Sequence, residues 1–276
     1  MSVLQGIFLG LIQGIAEFLP ISSSAHLKIA QHLFGLDEVP LLFDVMLHLA
    51  TLCSVFLFFR KKILELLLSF FRIITFKKSS SLAPEEAAKE TQNRKMILAV
   101  ILATLVTGVI GIFTSKLLND DLISLKIVSA GFLVTSFLLI SSAKIEKLTI
   151  NKSPVPSWPK ALLIGLAQGF GTLPGISRSG STIAGALYCK IDRVNAGEFS
   201  FILSIPAILG AFILEAKDLS AVKESIGMLP LAAGCLTAFV SGLLALAFLM
   251  RLIKKGKLEW FAAYLIPLGI CGIIFF

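Results

Sequence analysis

The chain alternates long apolar runs with short polar connections, and the lengths of the runs sort them into two kinds. A helix needs about 20 predominantly apolar residues to cross a bilayer, and six windows approach or meet that need: 41–59, 96–113, 122–143, 199–214, 228–250 and 259–276. Two further apolar stretches, 3–19 and 161–174, run into Pro and Ser clusters, and the apolar pieces that follow them, 27–34 and 183–189, are too short to cross. Each pair reads as a re-entrant helical hairpin, because backbone that breaks at membrane depth is tolerated only where it is buried in protein or lines a polar cavity. The pattern predicts an all-α polytopic membrane protein, one membrane domain over 1–276, with six transmembrane helices and two re-entrant hairpins.

Composition agrees with lipid as the main solvent: 56% of the 276 residues are hydrophobic and only 15% are charged. The net charge of +8 has to be read by location, since Lys and Arg beside membrane spans set topology. No nucleic-acid motif accompanies it, and no nucleic-acid partner is expected. Connections 60–95, 144–160, 251–258 and 188–198 carry nine, four, four and two basic residues and should be cytoplasmic. Connections 20–40, 114–121 and 215–227 carry four basic against seven acidic residues and should face outward. Threading the chain through this scheme puts both termini outside, with the first hairpin entering from the outer face and the second from the cytoplasmic face. The first 19 residues lack a basic start and a small-residue cleavage site and contain Gln13 and Glu17, so a cleaved signal peptide is not expected. Cys53, Cys189, Cys235 and Cys271 are far apart in apolar surroundings and read as buried thiols.

The two hairpins are also related in sequence. A shift of 155 residues pairs Gly10, Leu11, Gln13, Gly14, Ile21, Ser22 and Ser24 with Gly165, Leu166, Gln168, Gly169, Ile176, Ser177 and Ser179. Apolar bias would align Leu and Ile but not Gln-Gly and two serines. The expected organisation is therefore an inverted-topology repeat of halves 1–150 and 155–276, with a binding site where the hairpins meet near mid-bilayer.

The residues at the hairpin tips carry the candidate chemistry. In QGIAEFLPISSSAH, Gln13 and Glu17 are four apart and share a helix face, Pro20 stops the helix, and Ser22 to Ser24 can cap the next one. A carboxylate at membrane depth is costly and marks a functional cavity. In QGFGTLPGISRSGST, glycines including Gly175 flank Ser177-Arg178-Ser179 at a helix start, which leaves backbone N–H groups free for an anion, and Arg178 supplies the fork that binds phosphate oxygens. Glu17 beside Arg178 would suit a phosphate and a metal ion. The plain alternative is a structural ion pair joining the halves, with Ser and Thr as packing glue. That alternative leaves the clustering of His26, Gln13 and the glycines unexplained.

Both motifs at this separation resemble those of the undecaprenyl-diphosphate phosphatase family of the bacitracin-resistance type, and the likeness extends through FDVMLHLAT and EFSFILSIPA to essentially the whole chain. The resemblance implies hydrolysis of the C55 isoprenoid diphosphate to its monophosphate, with Mg²⁺ or Ca²⁺, in a bacterial inner membrane, and the entry side of the first hairpin favours a site that opens outward. It implies Glu17 and Gln13 as metal ligands and Ser23 and His26 as functional residues. Ser177 and Arg178 would bind phosphate, with Ser179, Gly175 and Ser22 as further substrate contacts. His26 would then be the general base, for Ser23 as nucleophile or for a water. Two positions depart from the family pattern: Ala25 replaces a frequent Gly, and Gln13 replaces Glu, removing one anionic ligand. A second copy of the chain is a candidate partner. The rival function on the same scaffold is transport or flipping of a lipid phosphate or other anion.

The remaining marked residues have milder readings. Asp44 and His48 share a helix face and either back the hairpins or pair with each other. His32, near Asp37 and Glu38, reads as a surface residue, Lys126 as one that snorkels, and Trp158, Trp260 and Tyr264 as interfacial anchors. Segment 77–95 reads as a solvated loop or a short surface helix.

Overall fold

The computed structural model describes residues 1–36, 39–75, 83–117, 124–215 and 226–276. Helices account for nearly all regular structure among these residues, and their one β contact is an isolated bridge between Ser153 and Ile191. The first hairpin is α1 (Val3–Phe18) and α2 (Ser23–Leu33), followed by α3 (Leu41–Phe58), α4 (Arg60–Ile74), α5 (Pro84–Leu117) and α6 (Leu125–Leu148). The second is α7 (Trp158–Phe170) and α8 (Arg178–Tyr188), followed by α9 (Arg193–Glu215), α10 (Met228–Lys254) and α11 (Trp260–Phe275).

Five of these helices, α3, α5, α6, α9 and α10, are long and apolar enough to cross a membrane. The chain is therefore a multi-pass membrane protein. The expected sixth crossing, 259–276, is α11, whose 16 residues rise only about 24 Å against a hydrocarbon core of about 30 Å. The turn before it uses up Lys255 to Leu258, with Gly256 at φ +64°. The polar segment 77–95 also differs from a simple loop. Residues 76–82 lie outside the described residues, but 84–95 are helical and extend α5 to 34 residues. That extension is held by the polar side of α4: Ser69 Oγ donates to Glu90 Oε2 at 2.8 Å, Asn93 Nδ2 donates to Ser69 Oγ at 3.2 Å, and Lys89 pairs with Glu65 at 2.7 Å.

The packing crosses between the two ends of the sequence. Helix α1 lies along α10, and α7 lies along α5. Small residues allow the close approach: a Cβ on Gly14 would stand 2.6 Å from the Ala238 carbonyl oxygen, and one on Gly165 would stand 2.6 Å from that of Ala103. Large apolar side chains such as Leu105, Val109 and Phe113 of α5 point outward, as lipid-facing positions do, while Gln13, Glu17, Gln168, Ser177, Ser179 and Ser181 are buried. The fold thus turns its polar residues inward, around the hairpin tips.

Candidate active site

Each hairpin breaks where its sequence removes a helical option. Pro20 has no N–H to continue α1, and the turn reaches α2 through Ser22 at φ +70°, a left-handed conformation that is costly for a residue with a Cβ. The second turn uses Gly175 at φ +81°, and any Cβ there would run into the Val128 carbonyl of α6. Ser177 then caps α8, its Oγ accepting from the Gly180 N–H at 3.1 Å, while its own N–H donates to Thr135 Oγ1 of α6 at 3.0 Å. The first-turn N–H groups of Arg178 and Ser179 have no acceptor within the helix and remain for an anion.

Glu17 is the centre of the arrangement, with its side chain only 4% exposed. Its Oε1 receives Arg178 Nη2 from the other hairpin. Its Oε2 accepts from Ser23 Oγ at 2.7 Å and from Gln13 Nε2 at 3.0 Å, and faces His48 Nε2 at 3.3 Å. His48 Nδ1 lies 2.7 Å from the Asp44 carbonyl oxygen, which fixes the ring with its other nitrogen toward Glu17. One carboxylate is thus surrounded by a guanidinium, an imidazole and two neutral donors, which together compensate a charge that would be prohibitive alone in lipid.

Glu17, Ser22 and Ser23 from the first hairpin, Ser177, Arg178 and Ser179 from the second, and His48 of α3 line one cavity of about 200 Å³. That is below the roughly 300 Å³ where pockets for drug-sized ligands begin, so it can admit a phosphate head group while an isoprenoid tail stays outside. Gly175 shapes the second turn beside Ile176, another lining residue. The Gln13 Oε1 is buried without a hydrogen-bond partner. That orphaned oxygen is of the kind Mg²⁺ or Ca²⁺ prefers, while the Nε2 of the same amide is the atom that meets the Glu17 carboxylate. No group of three or more His, Cys, Asp or Glu is gathered among the described residues, so a cation here would draw its other ligands from water and substrate.

Several placements differ from the pattern in the sequence. The hydrogen bonds of His26 go to neither Ser23 nor Glu17. Its Nδ1 lies 2.8 Å from the Ser22 carbonyl oxygen, which can only accept, so Nδ1 carries the proton and Nε2 accepts from the Tyr264 hydroxyl at 2.8 Å. Tyr264, read as an interfacial anchor, therefore sets the direction of an imidazole in the hairpin. The Asp44 carboxylate accepts from Gln31 Nε2 of α2 at 2.7 Å, whereas His48 reaches the site directly. Spacing put Asp44 and His48 on one face but could not say which of them pointed at Glu17. Thr135 left no signal in the sequence. His32 is exposed beside the Phe276 ring, while its expected neighbours Asp37 and Glu38 lie outside the described residues. Trp158, Trp260 and Lys126 are exposed.

With the geometry in hand, the chain can be compared with known proteins. A family model described as "Bacitracin resistance protein BacA" matches residues 6–271, nearly the whole chain and both hairpins. The chain belongs to this family. A curated relative in Treponema denticola named undecaprenyl-diphosphatase is 46% identical over 100% of this chain and 98% of its own length. Relatives with the same name in Desulfatibacillum aliphaticivorans and Alkaliphilus metalliredigens are 40% and 39% identical, covering 95% and 100% of this chain and 94% and 99% of their own.

Proposed function

We propose that the chain hydrolyses undecaprenyl diphosphate to undecaprenyl phosphate and inorganic phosphate, the activity for which its relatives are named, and so recycles the lipid carrier of cell-wall synthesis and confers bacitracin resistance. The observation that carries this reading is the meeting of Glu17 and Arg178, one from each hairpin, in a cavity that also holds Ser23 and the open N–H groups of α8.

Phosphoryl transfer depends mostly on positioning and on neutralising charge on the transferred group. The terminal phosphate replaces Glu17 as the partner of Arg178 and seats its remaining oxygens on the Arg178 and Ser179 N–H groups, with Ser177, Ser22 and Gly175 shaping the pocket. This exchange frees the Glu17 carboxylate to take the proton of Ser23, already hydrogen-bonded to it. Ser23 Oγ then attacks the terminal phosphorus in line, the anhydride P–O bond breaks, and undecaprenyl phosphate leaves. Water hydrolyses the resulting phosphoserine and releases phosphate. His26 Nε2 is the basic nitrogen available to that second step once Tyr264 yields it. A divalent cation, Mg²⁺ or Ca²⁺, would be held by Glu17 and Gln13 Oε1 and would neutralise charge on the diphosphate.

The scaffold is an inverted repeat of halves 1–150 and 155–276, with α1–α2 and α7–α8 re-entrant. This reading is supported by the 155-residue match and by the crossed packing of α1 on α10 and α7 on α5. The distribution of Lys and Arg orients it in a bacterial inner membrane with the site opening to the outer face. The same crossed packing is what favours the rival, transport of an anion. Purified protein in detergent, given undecaprenyl diphosphate with Mg²⁺ or Ca²⁺, should release inorganic phosphate. A folded preparation that releases none overturns the hydrolase in favour of transport.

A further inference from the structure

A second cavity lies away from the hairpin tips, about 490 Å³ between the start of α7 and the α5 helix. Lys95 and Lys160 line it together with Ser157, Trp158 and Leu98. Neither lysine forms an ion pair among the described residues, whereas their neighbours Lys89, Arg94 and Lys152 do. Ser157 makes no capping hydrogen bond. In sequence, Lys95 stands one residue before the apolar window 96–113, and Lys160 one residue before 161–174. Both ammonium groups therefore belong to the boundary between polar connection and lipid, on the side rich in Lys and Arg. Below them Leu98 and Leu163 are exposed, at 51% and 56%. Trp158, 64% exposed, is the residue type favoured at head-group depth.

The geometry points to this groove as a binding site for an anionic glycerophospholipid of that leaflet, with its phosphate between Lys95 and Lys160 and its acyl chains along α5 and α7. Two unpaired cations above an apolar wall match a molecule that is anionic at one end and apolar for the rest of its length, and a soluble anion would leave the wall uncovered. The consequence reaches the second hairpin. Helix α7 is the arm that leads to Ser177 and Arg178, and it is joined to α5 through the Gln168 amide on Thr107 Oγ1 at 3.1 Å. A lipid seated across α5 and α7 clamps that joint from outside.

The full-length protein, purified in neutral detergent and stripped of lipid, would be titrated with phosphatidylglycerol or with phosphatidylcholine of the same chains, and bound lipid counted by native mass spectrometry. Phosphatidylglycerol should bind about tenfold tighter or more, and Lys95→Gln/Lys160→Gln should remove that preference without changing phosphate release in the same detergent. The Lys95→Arg/Lys160→Arg variant, which keeps the charge, should retain the preference. Equal binding of the two lipids by the wild type, an unchanged preference in the Gln pair, or a lost one in the Arg pair would overturn the site. So would displacement of phosphatidylglycerol by millimolar inorganic phosphate, which would make the lysines a seat for a free anion.

Discussion

Glu17 is asked to hold four positive or polar neighbours in the resting site and to accept a proton from one of them, Ser23, during turnover, so substitutions around it should separate by role. Ser23→Ala removes the attacking oxygen and should lower phosphate release about 10²- to 10⁴-fold with little change in expression. Tyr264→Phe removes only the hydroxyl that directs His26 Nε2. It should lower kcat roughly tenfold and leave KM nearly unchanged, because the substrate does not meet that hydroxyl. A rise in KM with unchanged kcat would place Tyr264 on the substrate instead. At this scale the sequence showed part of the site. The four-residue step from Gln13 to Glu17 and the Ser-Arg-Ser run at a helix start are local patterns, and both pointed to side chains that line the cavity or touch Glu17. The partners of those residues were not legible. Tyr264 lies 238 residues from His26, and Thr135 lies 42 residues from Ser177. Periodicity places a residue on a face and says nothing of what that face meets across the fold.

The hairpins were legible as elements because Pro and Ser interrupt apolar runs in a way that has few structural solutions in lipid. The helical extension of α5 was not, since a stretch such as PEEAAKETQNRK reads equally as solvated loop or helix until α4 supplies Ser69 and Glu65 as partners. The window 259–276 matches α11 to within one residue at each end, but hydropathy alone does not say whether a helix of 16 residues crosses. The crossed packing of α1 on α10 makes a prediction proper to elements. Gly14→Leu would drive a side chain into the Ala238 and Gly242 backbone and the Ser241 hydroxyl. It should cost about 1–3 kcal/mol, read as a lower midpoint in a thermal melt in detergent. An unchanged melt would mean that α1 does not lie this close to α10.

Across the whole molecule, the end of α6 is tied to the start of α9 and to the connection that follows α10. Glu146 receives Arg193 at 2.8 Å and also pairs with Lys152, while Lys147 pairs with Glu259 at 2.8 Å, just before α11. Burial alone would push the Glu259 carboxyl up, but the hydrogen bond from Lys147, with the charges of Lys147 and Arg193, holds it below the usual glutamate range. A carboxyl lowered in the folded state stabilises the fold above its unfolded value and loses that contribution as pH falls through the lowered one. Glu259→Gln should therefore lower the melting midpoint by about 2 °C at neutral pH, and the difference should shrink as pH falls below the usual glutamate range and vanish below the lowered value. A gap that persists in acid would remove the carboxylate from this tie. The larger claim at this scale is that two hairpins, far apart in sequence, build one site through Glu17 and Arg178. The direct test is a double-mutant cycle on phosphate release from undecaprenyl diphosphate by Glu17→Gln, Arg178→Gln and the pair. Each single change should lower kcat/KM by about 10³-fold, with the double variant little worse than either. Independent, multiplying losses, or single variants that stay active, would contradict it.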